Sequence, residues 1–149
     1  MNKARIGSLA VALLIASGSS ALAQSSGAGT IKLVSGSVFV VREGAAVPAR
    51  LGQAVFETDA LRTGADGKIG VTLKDDTRVS LGPNSEVRLQ RFVYAPAEGN
   101  LGLVLQFVRG AAAYVSGRIA RLAPDSIRLE TPAAIVGVRG TTLAVRVDQ

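Results

Sequence analysis

Apolar residues recur along this chain in apolar-x-apolar triplets: Ile31/Leu33, Phe39/Val41, Val71/Leu73, Val79/Leu81, Val87/Leu89, Leu103/Leu105, Ile127/Leu129 and Leu143/Val145. The first members of these pairs all differ by multiples of eight. Alternation with period two predicts strands that bury one face. Turn formers stand between them, at Ser35-Gly36, Arg42-Glu43-Gly44, 64–67, Asp75-Asp76, Gly82-Pro83-Asn84, Glu98-Gly99-Asn100, Arg109-Gly110 and Gly140. Hydrophobic residues make up 48% of the chain, so part of this regularity is chance. The consecutive step at Val71, Val79 and Val87 nevertheless predicts three strands within 67–92. A weak helical pattern competes only near 115–122.

The predicted fold class is therefore all-β, a single domain of short strands. Such spacing suits a sandwich, a barrel or a coiled β-solenoid, with the sandwich as the generic expectation. Small Ala111, Ala112 and Ala113 suit a narrow interior. The domain is expected to span 31–147, with no internal boundary.

The amino terminus reads differently. Lys3 and Arg5 precede an apolar run from Ile6 to Ile15, broken by Ser17-Gly18-Ser19-Ser20 and closed by Ala21-Leu22-Ala23. Residues 1–23 have the layout of a secretory signal peptide, with cleavage expected between Ala23 and Gln24. The strongly apolar core is only about ten residues, against roughly 20 for a spanning helix. Residues 24–30, rich in Ser, Gly and Ala, read as a flexible tail. The expected product is a periplasmic or secreted protein with no membrane span after cleavage.

Chemistry narrows the function. The 149 residues contain no Cys and no His, so disulfides, Ser-His and Cys-His catalysis and the usual zinc site have no residues to build them. Asp75-Asp76 is the nearest carboxylate pair, and it reads as a hairpin turn that shows both groups to water. Asp59, Asp66, Asp75 and Asp76 match no known calcium-loop spacing. No enzyme activity, metal or cofactor is expected. The net charge of +6 is carried mainly by Arg. Export argues against a nucleic-acid partner, and four Phe, two Tyr and no Trp are too few for a stacking platform. Arg88, Arg91, Phe92 and Tyr94 read as one alternating strand. A weak attraction to an anionic envelope polymer stays open.

Residues 130–147, ETPAAIVGVRGTTLAVRV, hold two apolar runs, each able to form a buried strand. Thr131-Pro132 opens the segment with a kink, and Arg139-Gly140-Thr141 joins the runs through a turn. The segment resembles the end of the FecR family, named for regulators of iron-dicitrate uptake. So do Gly36 to Arg42, with its Gly-x-Val-x-Val opening, and Asp59-Ala60-Leu61-Arg62-Thr63-Gly64, after Thr58 in place of the usual Gly. Leu73 to Thr77 resembles the Leu-x-Asp-Gly-Ser hairpin with Asp76 for Gly, a residue that tolerates positive φ. Gly110 resembles the family's later glycine.

The resemblance implies a twisted, solenoid-like stack, and a module that senses and binds. Full-length members also carry a cytoplasmic sigma-factor-binding segment and a membrane span, where this sequence shows a signal peptide. The implied function is a non-enzymatic envelope signalling or scaffold module that binds an envelope protein. A carbohydrate- or peptidoglycan-associated module is the alternative. Gly36, Asp59, Arg62, Thr63, Gly64, Gly110, Thr131, Pro132, Arg139, Gly140 and Thr141 are its signature positions, read as turn-forming and structural. Arg62 is expected either to pair with Asp59 or to face a partner.

Overall fold

A computed structural model of the protein describes residues 27–138 and 142–148. The expected signal peptide, residues 24–26 of the expected tail, and Arg139, Gly140 and Thr141 lie outside the described residues. Among those described, twelve strands hydrogen-bond into one sheet. They are β1 (Gly29–Ser35), β2 (Val38–Arg42), β3 (Ala45–Pro48), β4 (Ala54–Val55), β5 (Ala60–Thr63) and β6 (Lys68–Leu73). The others are β7 (Arg78–Leu81), β8 (Glu86–Ala95), β9 (Asn100–Val115), β10 (Ile127–Glu130), β11 (Ile135–Val136) and β12 (Thr142–Val147), with one short helix, α1 (Arg118–Leu122).

The register explains why so many short strands make one body. β2 and β1 pair with β5 and β6, which in turn pair with β8 and β7. β8 and β7 then pair with successive halves of β9, and every one of these ladders is antiparallel. The pairs β1–β2, β5–β6 and β7–β8 are thus three long strands lying beside β9. Each is interrupted at the same level, by Gly36-Ser37, by 64–67 and by 82–85. β9 is unbroken but kinks there at Gly110, with φ +82. Before the kink Leu103, Leu105 and Phe107 face inward; after it Tyr114 does, so the alternation changes parity. The sheet curls along this line into a half-barrel, and inward residues of both halves share one hydrophobic core. All-β content is common to the solenoid-like and sandwich architectures, and it is what the strands establish.

The cadence of eight marks the core well in the middle of the chain. Both members of Val71/Leu73, Val79/Leu81, Val87/Leu89, Leu103/Leu105 and Ile127/Leu129 are buried. It fails at the edges. In β2 the inward residues are Val38 and Val40, not Phe39 and Val41. A register shift in β1 buries Ile31 but turns Leu33 out, 51% exposed. β1 also begins earlier than expected: Ala28 is buried, and Gly29 and Thr30 pair with both β4 and β6. The end of the expected flexible tail is therefore part of the sheet.

Beyond Val115 the chain turns back to start β10, which runs parallel to the first half of β9. α1 lies on this return, where the sequence showed its weak helical pattern. Its Ile119 is fully buried. The Arg118 and Ile119 N–H groups donate to the carbonyl (2.7 Å) and Oδ2 (3.3 Å) of Asp75 in the β6–β7 turn. Arg118 Nε sits 3.1 Å from Asp76 Oδ2. Its guanidinium also bonds the Tyr94 side chain at the end of β8, which raises its pKa above the usual arginine value. α1 thereby ties the far ends of the two halves together. No helix among the described residues is long and apolar enough to cross a membrane.

Candidate functional site

Four of the signature residues meet along the line where the sheet curls. Thr63, 2% exposed, ends β5; its Oγ1 donates to the Gly82 carbonyl at 2.6 Å and accepts the Ser85 N–H at 2.8 Å. The Gly64 N–H donates to the Ser37 carbonyl, beside Gly36, and the Gly64 carbonyl accepts from Asn84. Ser85, fully buried, accepts the Ala111 N–H through Oγ (2.9 Å), next to Gly110. At the other end Asp66 Oδ1 accepts the Ser37 N–H at 3.1 Å, a bond that holds the Asp66 carboxyl below its ordinary pKa. The interruptions thus replace lost ladder bonds with side-chain bonds, as buried backbone requires. Gly110 is needed twice over, because its φ is left-handed and a Cβ there would collide with Ser85.

Asp59 immediately precedes β5, is 1% exposed, and accepts a forked pair of bonds from Arg42, Nε to Oδ1 at 2.8 Å and Nη2 to Oδ2 at 2.7 Å. These bonds raise the Arg42 pKa. Asp59 Oδ2 also accepts the Phe56 N–H, and the Arg42 guanidinium lies over the Phe56 ring, 4.5 Å from its centre. The expected pairing of Asp59 with Arg62 is not formed. Positions an odd number apart along an extended chain face opposite sides, and Arg62 instead reaches its cross-strand partner Glu86 (3.3 Å), which Arg88 holds from the other side (3.3 Å). Sequence reading missed Arg42 and Ser85. The signal for Arg42 was the antiparallel pairing of β2 with β5, which sets the end of one against the start of the other.

Two further expectations are corrected. Asp75 and Asp76 do form the hairpin turn, and Asp76 takes φ +69 as its substitution for Gly required. Only Asp76 faces water, however. Asp75 is fully buried, accepting from Thr77 N–H (3.1 Å) and Thr77 Oγ1 (2.7 Å) as well as from α1. Near it lies Tyr114, whose hydroxyl is close to Thr77 and Ser116 without a well-formed hydrogen bond; burial raises its pKa. In the closing segment, Thr131 Oγ1 accepts the Ala134 N–H (3.1 Å), so Thr131-Pro132 forms the β10–β11 turn. The strand that follows is not buried: Ile135 is 69% exposed, and only Val138 enters the core. β12 turns Leu143, Val145 and Val147 toward the core and the residues between them outward.

Comparison with protein families matches residues 59–149 to the family described as FecR protein. The chain belongs to the FecR family. Searches of curated proteins and of solved structures return no match. The FecR match starts at Asp59, the residue pinned by Arg42, and covers the whole curl line except its first corner at Gly36.

What this FecR-family surface offers is backbone and charge. Among the described residues, no group of three or more His, Cys, Asp or Glu side chains could hold a metal ion. β12 pairs with β9 along one side only, and no described strand covers its other side. A groove of about 700 Å³ lies on the outer face between the β8–β9 hairpin and the β10–β11 hairpin.

Proposed function

We propose that this chain is a non-enzymatic FecR-family module of the cell envelope that binds a protein partner by adding a strand to β12. The edge of β12 that no described strand covers carries this reading. Exposed edges are normally blunted by Pro, Lys or bulges, because unpaired N–H and C=O groups recruit another strand. β12 is six residues long, contains no Pro, Lys or bulge and one exposed charge, Arg146, and pairs in unbroken register with β9. Membership of a family of envelope signalling regulators supports the setting. The leader-like residues 1–23 support delivery to the periplasm.

Proline at Ala144 and at Val145 tests the proposal. Neighbouring residues point their N–H groups to opposite sides, so one of the two substitutions blocks the outer edge and the other disturbs the bond to β9. Capture from envelope extracts should be lost with the outward-facing proline at unchanged stability. Equal capture by both variants and the native chain would rule out strand addition here. Sedimentation with purified cell wall in place of any protein capture would favour the carbohydrate-associated alternative.

A further inference from the structure

The groove beside β10 is built around a row of three residues. Val104 of β9 has Arg91 of β8 as its cross-strand partner on one side and Arg128 of β10 on the other. Directly opposed residues share a face, so two arginines stand on the outer face about 10 Å apart, two strand spacings, with a valine floor between them. Arg91 does not extend into water alone. Its guanidinium lies over Gly102, with Nε and Cζ 3.3 and 3.4 Å from where a Cβ would be. The missing side chain at Gly102 lets the cation rest against the sheet, leaning toward the groove.

Two carboxylates, Asp125 and Glu130, line the groove beside the two arginines, and these charges are unequally engaged, Asp125 having a partner of its own. Arg128 is 3.7 Å from Glu130, a loose contact with both groups partly exposed. Arg91 has no ion pair or side-chain hydrogen bond among the described residues. One wall is apolar: Ile135 is 69% and Val136 36% exposed, on a strand whose sole partner among the described residues is β10. A cation held in place without a carboxylate, beside exposed aliphatic side chains, complements a chain carrying an acidic and an apolar residue. The lack of any aromatic side chain in the lining disfavours a sugar ring.

We infer that this groove is a docking site for an acidic, aliphatic peptide segment of a protein partner, with Arg91 and Arg128 clamping its carboxylate and Ile135 and Val136 receiving its apolar residue. The inference rests on the reading of the chain as a protein-binding module, but on a surface separate from the β12 edge.

A labelled peptide alternating Glu and Val serves as the probe, with a Gln-Val peptide and an anionic polysaccharide, polygalacturonate, as comparisons. Fluorescence anisotropy against the full chain should show binding of the Glu-Val peptide that weakens about tenfold in Arg91→Gln and in Ile135→Ser, and less in Arg128→Gln. Arg78→Gln, on the other half of the sheet, should bind as the native chain does, as should the outward-facing β12 proline variant. Circular dichroism and a thermal melt establish that each variant is folded. The inference is overturned by absence of Glu-Val binding, by equal binding of the Gln-Val peptide, by indifference to Arg91→Gln in a folded variant, or by polygalacturonate displacing the peptide at equal carboxylate concentration. Loss of binding in the β12 proline variant alone would also overturn it, while leaving strand addition standing.

Discussion

At the scale of single residues, the ion pairs of this protein are not equivalent. Asp59 is buried and depends on one arginine, whereas Glu86 is shared by two. Arg42→Met leaves the Asp59 carboxylate with only the Phe56 N–H, and should cost about 2 kcal/mol. Arg62→Met leaves Glu86 its Arg88 contact and should cost only about 0.5 kcal/mol. Urea denaturation at neutral pH separates the two. Asp66 gives a pH dependence. Its folded pKa lies below the ordinary 3.8, chiefly because the carboxylate accepts the Ser37 N–H. The folded state therefore favours the ionised form, and this contribution is complete above the unfolded pKa and is lost as pH falls through the folded one. The stability difference between the native chain and Asp66→Asn should shrink below about pH 4, measured by urea midpoints along an acid series.

At the scale of elements, the corners decide the shape. Gly110 and Gly99 both have positive φ, +82 and +66, but a Cβ at Gly99 meets open space while one at Gly110 meets Ser85. Gly99→Ala should cost about 1 kcal/mol, the left-handed penalty alone. Gly110→Ala should cost about 3 kcal/mol or more, adding the collision and a displaced Ser85 bond. Thermal melts of the two variants make the comparison. This contrast also shows what the sequence could disclose. Period-two alternation is a local property, so it locates strands such as β6, β7 and β8, whose inner faces are unambiguous. Bulges and edges escape it, since one extra residue reverses the facing of all that follow, as at Ile31/Leu33 and around Gly110. The pairing of Arg42 with Asp59 joins residues far apart in the chain, and only the register of β2 against β5 brings them together. The exposed Ile135 reads as core from composition, because hydrophobicity alone does not say whether a covering layer exists.

For the whole molecule, a common core and a helix tying the open ends imply that the two halves stand or fall together. Ile119→Ala removes a fully buried side chain from α1 and should cost about 3 kcal/mol. Removing Arg118, whose ion pair with Asp76 is solvent-exposed, should cost far less. Unfolding of the native chain followed by far-ultraviolet circular dichroism and by tyrosine fluorescence should give coincident transitions. Two separate transitions would mean that the curl line divides independent units.

β9 also imposes an order of assembly. One of its sides is covered by β7 and β8, which precede it in the chain; the other waits for β10 and β12, which follow it. Until they arrive, a finished four-strand meander presents a long unpaired flank, open to the wrong neighbour. A chain ended at Ser116 should therefore self-associate through β9, seen as concentration-dependent oligomers by analytical ultracentrifugation. Supplying a peptide of residues 117–149 should reverse it. That reversal would identify β10 and β12 as the cover that keeps the flank of β9 from pairing with a second copy.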